Sequence, residues 1–125
     1  MVEFWEVVGM PRSDADQVPV TYLLTPGTWP QGALVAGAPL SAHFARAIAQ
    51  RLDRAMNAAE VSGRTVAAAA GLSHATVQRV QRGEVLPDLG TLARLEVALG
   101  CDLYPAGLHS RFSSTKPVGL PERDN

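Results

Sequence analysis

The chain has 125 residues, of which 46% are hydrophobic and 18% are charged, and its formal net charge at pH 7 is −1. This length fits one small domain with extensions, and no apolar run approaches the length of a bilayer span. The first residues are acidic rather than basic, which argues against a signal peptide, so we expect a cytoplasmic protein. The single cysteine, Cys101, excludes an internal disulfide, and its apolar context predicts a small, reduced core residue.

Residues 1–40 are predicted to be an N-terminal extension used for packing or dimerisation. Proline recurs through this region and excludes a long helix. The runs VEFWEVV (2–8) and VPVTYLL (18–24) are rich in β-forming residues and are separated by a polar stretch, which favours a loose β-hairpin. Three large aromatic residues are expected to pack on the helical domain or on a second protomer: Trp5, Tyr22 and Trp29.

The first long helix is predicted to run from Ser41 or Ala42 to about Ala59. Its apolar residues recur at helical spacing and form one stripe, and the opposite face is polar. The stripe consists of Phe44, Ile48, Leu52, Ala55, Met56 and Ala59, and the polar face holds Arg46, Gln50, Asp53, Arg54 and Asn57.

The segment SGRTVAAAAGLSHATVQRVQRG (62–83) predicts two short helices joined by a tight turn. Ser62 is placed to cap the first helix, which continues through an alanine run of high helix propensity. Gly71 follows where the chain must turn sharply, and glycine tolerates the left-handed conformation needed there. Ser73 is placed to cap the second helix, which runs from His74 to Arg82 and ends at Gly83.

A fourth helix is predicted after Pro87, with Asp88 as its cap and Gly100 at its end. Its apolar residues are Leu89, Leu92, Leu95, Val97 and Leu99. From residue 107 onward the chain is polar and rich in serine, proline and charge, which predicts a flexible tail. The expected fold is therefore an all-α domain of four to five helices over residues 41–106.

In this order and spacing, the elements of residues 41–106 resemble the phage repressor and Cro-like family of helix-turn-helix DNA-binding regulators. The resemblance is carried by Val66-Ala67, by the turn Gly71-Leu72-Ser73, and by Val77, Val80 and Gly83. Two positions depart from the family's pattern. Gly63 stands where glutamine commonly grips a phosphate, and Gln81 stands where glutamate often pairs with an arginine of the first helix, so a hydrogen bond is expected in place of that ion pair.

The resemblance implies sequence-specific binding of double-stranded DNA by a transcription regulator, most often a repressor, whose second short helix lies in the major groove. Within that geometry, Arg79 is placed for a bidentate contact with guanine, His74 for a purine acceptor, and Ala75 for a thymine methyl group. The expected base-contacting residues are His74, Ala75, Gln78 and Arg79, and the expected phosphate-contacting residues are Ser73, Thr76, Arg82, Gly63 and Arg64.

The charges along the chain are unevenly distributed, and this distribution agrees with a DNA partner. Residues 1–42 have a net charge of −3, residues 43–83 have +4, and residues 84–125 have −2. The small net charge of the whole chain therefore hides a basic segment that coincides with the predicted helix-turn-helix.

Partners and chemistry follow from the same features. One recognition helix contacts few base pairs, so we expect a homodimer on a palindromic operator, associated with a bacterial nucleoid. The high ratio of arginine to lysine suggests a bacterial or phage source. Scattered histidines and a lone cysteine indicate neither an enzyme nor a metal site, and we expect no cofactor. The alternative is a protein-interaction module of the same fold, of the antitoxin or anti-repressor type, that binds a partner through residues 1–40.

Overall fold

A computed structural model describes residues 18–112 and shows an all-helical fold, which confirms the predicted fold class. The four α-helices of this region are α1 (Leu40–Ala59), α2 (Gly63–Ala70), α3 (His74–Arg82) and α4 (Leu89–Leu99). Two single-turn 3-10 helices, Pro19–Tyr22 and Leu108–Arg111, lie before and after them. Within residues 18–112, no helix is both long and apolar enough to cross a bilayer.

The starts of three helices are capped as the sequence predicts. Side-chain oxygens accept the free amide hydrogens of the first turn, which have no partner inside the helix. The three bonds run from Thr65 N to Ser62 Oγ at 3.2 Å, from Thr76 N to Ser73 Oγ at 3.0 Å, and from Thr91 N to Asp88 Oδ1 at 2.7 Å. The helices end in left-handed residues, at Gly71, Gly83 and Gly100, and α1 ends at Glu60 with φ 56°.

The core lies where the four helices meet. Its centre is formed by Leu52 of α1, Val77 of α3 and Leu95 of α4, all without exposed surface. Leu103 closes the same cluster after α4 and is also fully buried. Of the predicted α1 stripe, Ile48, Leu52 and Met56 are in the core, Phe44 and Ala55 are half-buried, and Ala59 at the helix end is exposed, so the prediction is confirmed for the middle of the helix.

Three apolar residues in or just after α4 are exposed: Leu89, Val97 and Cys101. Leu89 and Val97 are 80% and 83% exposed, because the face of α4 that meets the core holds Leu92, Leu95 and Leu99 instead. Cys101 is also exposed, since it follows the left-handed Gly100 as the chain leaves the end of α4. The prediction that Cys101 is a core residue is wrong.

The predicted N-terminal β-hairpin is not formed by the described residues. Pro19–Tyr22 is a 3-10 helix, in which a proline at the first turn fits because that position needs no amide donor. Leu23 then forms an isolated antiparallel bridge with Leu34. The bonds Leu24 N to Ala33 O at 2.9 Å and Val35 N to Tyr22 O at 2.8 Å close residues 22–35 into a loop. The other predicted strand, residues 2–8, lies outside the described residues.

This loop is bound to the polar face of α1. Arg46 donates from Nε to Gly32 O at 2.7 Å and from Nη2 to Gln31 O at 3.0 Å. Gln50 donates from Nε2 to Pro30 O at 2.9 Å. Part of the polar face of α1 therefore binds the backbone of residues 30–32.

The start of the predicted tail is packed. Residues Leu108–Arg111 form a 3-10 helix, and the ring of Phe112 lies 4.7 Å from that of His43 on α1. Burial and the neighbouring guanidinium groups of Arg46 and Arg111 lower the pKa of His43. Residues 113–125, the rest of the predicted tail, lie outside the described residues.

Candidate nucleic-acid interface

The candidate interface is built on α2, the turn at Gly71 and α3. Val66 and Ala67 of α2 and Val77 and Val80 of α3 are buried against each other and the core, as expected from their small or branched side chains. Arg94 of α4 donates from Nη1 to Ala70 O at 3.3 Å and so helps to satisfy the end of α2. Helices α2 and α3 are thus joined by their packed faces, and Arg94 connects the end of α2 to α4.

Helix α3 has one buried face and one exposed face. Val77 and Val80 point into the core, whereas Ala75, Arg79 and Arg82 are exposed. Arg79 and Arg82 both lie in the last turn of the helix, where positive charge is also favoured by the helix dipole. The exposed face therefore offers a methyl group near the capped end and two guanidinium groups near the other end.

His74 and Gln81 lie at one edge of this face, beside the first turn of α2. A β-carbon placed at Gly63 would lie 3.2 Å from His74 Nε2 and 3.4 Å from Gln81 Oε1. An alanine at 63 would require a small shift of the imidazole, and a longer side chain would compete with it for space. Gly63 is thus explained by the space that the imidazole and the amide occupy, and these three residues form one cluster.

The hydrogen bond expected at Gln81 connects α3 to α1. Burial raises the pKa of the Asp53 carboxyl group. The hydrogen bond that this carboxyl group accepts from the Gln81 side chain opposes that shift. The expected family ion pair is thus replaced by a bond between a carboxyl group and a neutral amide. Asp53 and Gln81 also border an open cleft of about 440 Å³ that Gln78, Arg82 and Trp29 help to line.

Nine residues are predicted to contact DNA; in the structure Arg64, Ser73, Ala75, Arg79 and Arg82 are exposed, and Gly63, His74, Thr76 and Gln78 are half-buried. Ser73 and Thr76 are engaged with each other at the start of α3, with their hydroxyl oxygens 2.8 Å apart. Arg64 is exposed in the first turn of α2, next to Gly63. Gln78 is partly buried beside the cleft.

Sequence reasoning missed the residues that hold the end of α3. Trp29 donates from Nε1 to Gln81 O at 3.0 Å, and Val20 donates its amide to Gly83 O at 2.9 Å. The expectation that Trp29 packs on the helical domain is confirmed. Its hydrogen bond to Gln81 could not be predicted from the sequence, because the two residues are far apart in the chain and no periodicity links them.

The capped α2–turn–α3 unit is a helix-turn-helix motif, and the all-helical fold around it is consistent with a helix-turn-helix domain. Residues 47–105 match a protein-family model described as a helix-turn-helix domain. The matched segment runs from within α1 to just beyond α4, and it leaves out the loop of residues 22–35. Helix-turn-helix domains suggest DNA binding and a role in transcription regulation. Neither a curated protein nor a solved structure matches the chain significantly.

Proposed function

We propose that this protein binds double-stranded DNA in a sequence-specific manner and regulates transcription as a repressor. The observation that carries this proposal is the exposed face of α3, which presents Ala75, Arg79 and Arg82 on a helix-turn-helix domain. The net charge of +4 over residues 43–83 favours the approach of a polyanion to this part of the chain.

We assign base reading to the N-terminal part and the outer face of α3. Arg79 is free to extend toward the paired acceptors of guanine, and the methyl group of Ala75 suits a thymine methyl. His74 and Gln78 lie at the edge of the same face and are assigned to base contacts as well. Each bidentate pair contributes about 1–3 kcal/mol of discrimination against the wrong base.

We assign phosphate contacts to the residues around this face. Gly63 and Arg64 lie at the start of α2, where unpaired amides favour an anion. Ser73 and Thr76 lie at the start of α3, and Arg82 lies at its end. These contacts would fix the register of the domain on the duplex and carry no sequence information themselves.

The direct test is selection of bound duplexes from a random-sequence pool by the full-length protein. We expect an enriched motif with two inverted half-sites, because a homodimer reads a palindromic operator with half-sites about one helical turn apart. An unenriched pool under low-salt conditions would contradict sequence-specific binding.

The assignment of α3 is tested by Arg79→Ala on the selected duplex. We expect an affinity loss of about 1–3 kcal/mol and relaxed preference at one base pair, measured by fluorescence anisotropy. The matched control is Arg54→Ala, which removes the same charge from α1 beside residues 105–111 and should change affinity by less than about threefold, since exposed charges at a distance are screened by salt. Equal losses in both variants would show that α3 is not the reading helix.

The second candidate, a partner-binding module of the same fold, is favoured by one observation. Residues 18–39 contain no charged residue, and Leu24 within them is 64% exposed. Pull-down with the full chain and with Leu24→Ser tests it: loss of a specific partner together with unchanged DNA binding would support this second function.

A further inference from the structure

The last turn of α3 receives hydrogen bonds from residues outside the family-matched segment. The final four carbonyl groups of an α-helix lack partners inside the helix. In α3, Glu84 N donates to Arg79 O at 2.9 Å and Gly83 N donates to Val80 O at 3.3 Å. The next carbonyl, that of Gln81, accepts instead from the indole Nε1 of Trp29 at 3.0 Å.

The indole ring of Trp29 also lies directly on Gly83. A β-carbon at Gly83 would lie 2.7 Å from Cδ2 and Cζ2 of the ring and closer still to Cε2, so no side chain fits there. The φ angle of Gly83 is 72°, which independently favours glycine. Gly83 is therefore required both as a helix end and as the surface on which Trp29 rests.

Trp29 is itself held by α1. The carbonyl of the next residue, Pro30, accepts from Gln50, and Arg46 binds the two carbonyls that follow. The loop of residues 22–35 thus connects the polar face of α1 to the end of α3. This connection is independent of the core contacts through Val77 and Val80.

We propose that Trp29 is a positioning residue for DNA reading. By fixing the last turn of α3, it restricts the backbone that carries Arg79 and Arg82 and that borders Gln78. Helix ends fray when their carbonyls are unpaired, and ordering a frayed turn on binding costs affinity. An ordered turn presents the arginines in one geometry before DNA arrives. This role rests on the proposed DNA binding by α3.

The test uses Trp29→Phe in the full-length chain, which keeps an aromatic ring and removes the N–H donor. Without DNA, amide hydrogen exchange at Gly83 and Glu84 should become roughly two- to tenfold faster, the range that one neutral hydrogen bond corresponds to, with α4 amides unchanged. With DNA, the ratio of affinities for the selected duplex and a duplex mismatched at the Arg79 base pair should fall by a similar factor.

The matched control is Ile48→Val, a core change in α1 that lowers stability by a comparable amount and leaves Trp29 and its bond to Gln81 in place. It should leave both the local exchange rates and the affinity ratio unchanged well below the melting temperature. If Trp29→Phe behaves like this control, the positioning role is wrong. Where Trp29→Phe does not fold, Gln50→Ala tests the same connection, since it removes the donor to Pro30 O and leaves every residue of α3 unchanged.

The two proposals fail in distinguishable ways. If the wild-type chain selects no duplex, the proposed function fails, and the proposed role of Trp29 in DNA reading fails with it. The exchange rates then measure only the stability of the last turn of α3. If the wild-type chain selects a duplex and Trp29→Phe discriminates against the mismatch as well as wild type does, only the role of Trp29 is overturned.

Discussion

At the scale of single residues, His74 and Gly63 depend on each other. The imidazole lies against the first turn of α2 because Gly63 has no side chain to displace it. Any side chain at residue 63 would take space that the ring of His74 now occupies. The glycine that departs from the family's pattern is therefore matched by the residue that begins the recognition helix.

We expect His74→Ala to reduce discrimination at one base pair while leaving the salt dependence of binding unchanged, because a base contact releases no counterion. Affinities for the selected duplex and its single-base variants, measured at several salt concentrations, check this expectation. A uniform loss across all duplexes, with a log–log salt slope smaller by about one, would place His74 on a phosphate instead.

At the scale of elements, Glu96 fixes the segment that follows α4. One carboxylate oxygen accepts the amides of Leu103 and Tyr104 at 2.8 and 2.9 Å. These two backbone bonds lower the pKa of Glu96 below its usual value, with the bond from Tyr104 contributing most. The contact holds the backbone of Leu103, so the polar side chain of Glu96 on α4 helps to keep the apolar side chain of Leu103 in the core.

Glu96 should contribute to stability at neutral pH and lose that contribution in acid. A carboxyl group whose pKa is lowered by folding stabilises the native state above its unfolded pKa, near the usual value of 4.5, and this contribution disappears as pH falls through the lower folded value. We expect Glu96→Gln to lower the free energy of unfolding at pH 7 and to flatten its dependence on pH below about 5. Urea denaturation from pH 7 to 3 measures both effects.

The matched control for this prediction is Glu84→Gln, an exposed carboxyl group in the loop after α3. It should leave the pH profile like that of the wild type. A Glu96→Gln profile that parallels the wild-type profile down to pH 3 would show that the two backbone bonds do not depend on the charge.

At the scale of the whole molecule, two surfaces remain candidates for the proposed homodimer. One is the segment that follows α4, where Leu103 is fully buried and Tyr104, at 50% exposure, is accessible. Val97 extends the exposed apolar surface of α4. The other candidate is the N-terminal extension.

We expect two chains on each selected duplex, because a single α3 reads too few base pairs for specificity. Light scattering coupled to size exclusion should give a protein content of two 13.2 kDa chains per complex. If the dimer neutralises about six phosphates, the log–log salt slope should be about −5. One chain per duplex, or a slope near zero, would contradict this arrangement.

The dimer surface is located by two altered chains. Val97→Glu places a charge on the exposed face of α4, and truncation of residues 1–17 shortens the extension while keeping Val20 and Trp29, which hold α3. Truncation of residues 1–40 is a poorer test, since it also removes the donors to Gln81 and Gly83. The change that yields one chain per duplex identifies the surface.

The sequence by itself determined the helices, their caps and the buried face of α3. Each of these follows from local chemistry: a serine or aspartate oxygen near free amides, a glycine where φ must be positive, and apolar residues at helical spacing. All nine candidate DNA-contacting residues lie within one segment of 22 residues, from Ser62 to Gly83; the family resemblance assigns them, and their contacts with DNA stay a prediction.

Only the tertiary structure decided what surrounds that segment. The 3-10 helix at Pro19, the loop bound to Arg46 and Gln50, and the indole of Trp29 on Gly83 depend on contacts between residues distant in sequence. The exposure of Cys101 and Val97 depends likewise on which face of α4 meets the core. Such contacts leave no periodic signal in the chain, because they depend on how separate elements come together in three dimensions.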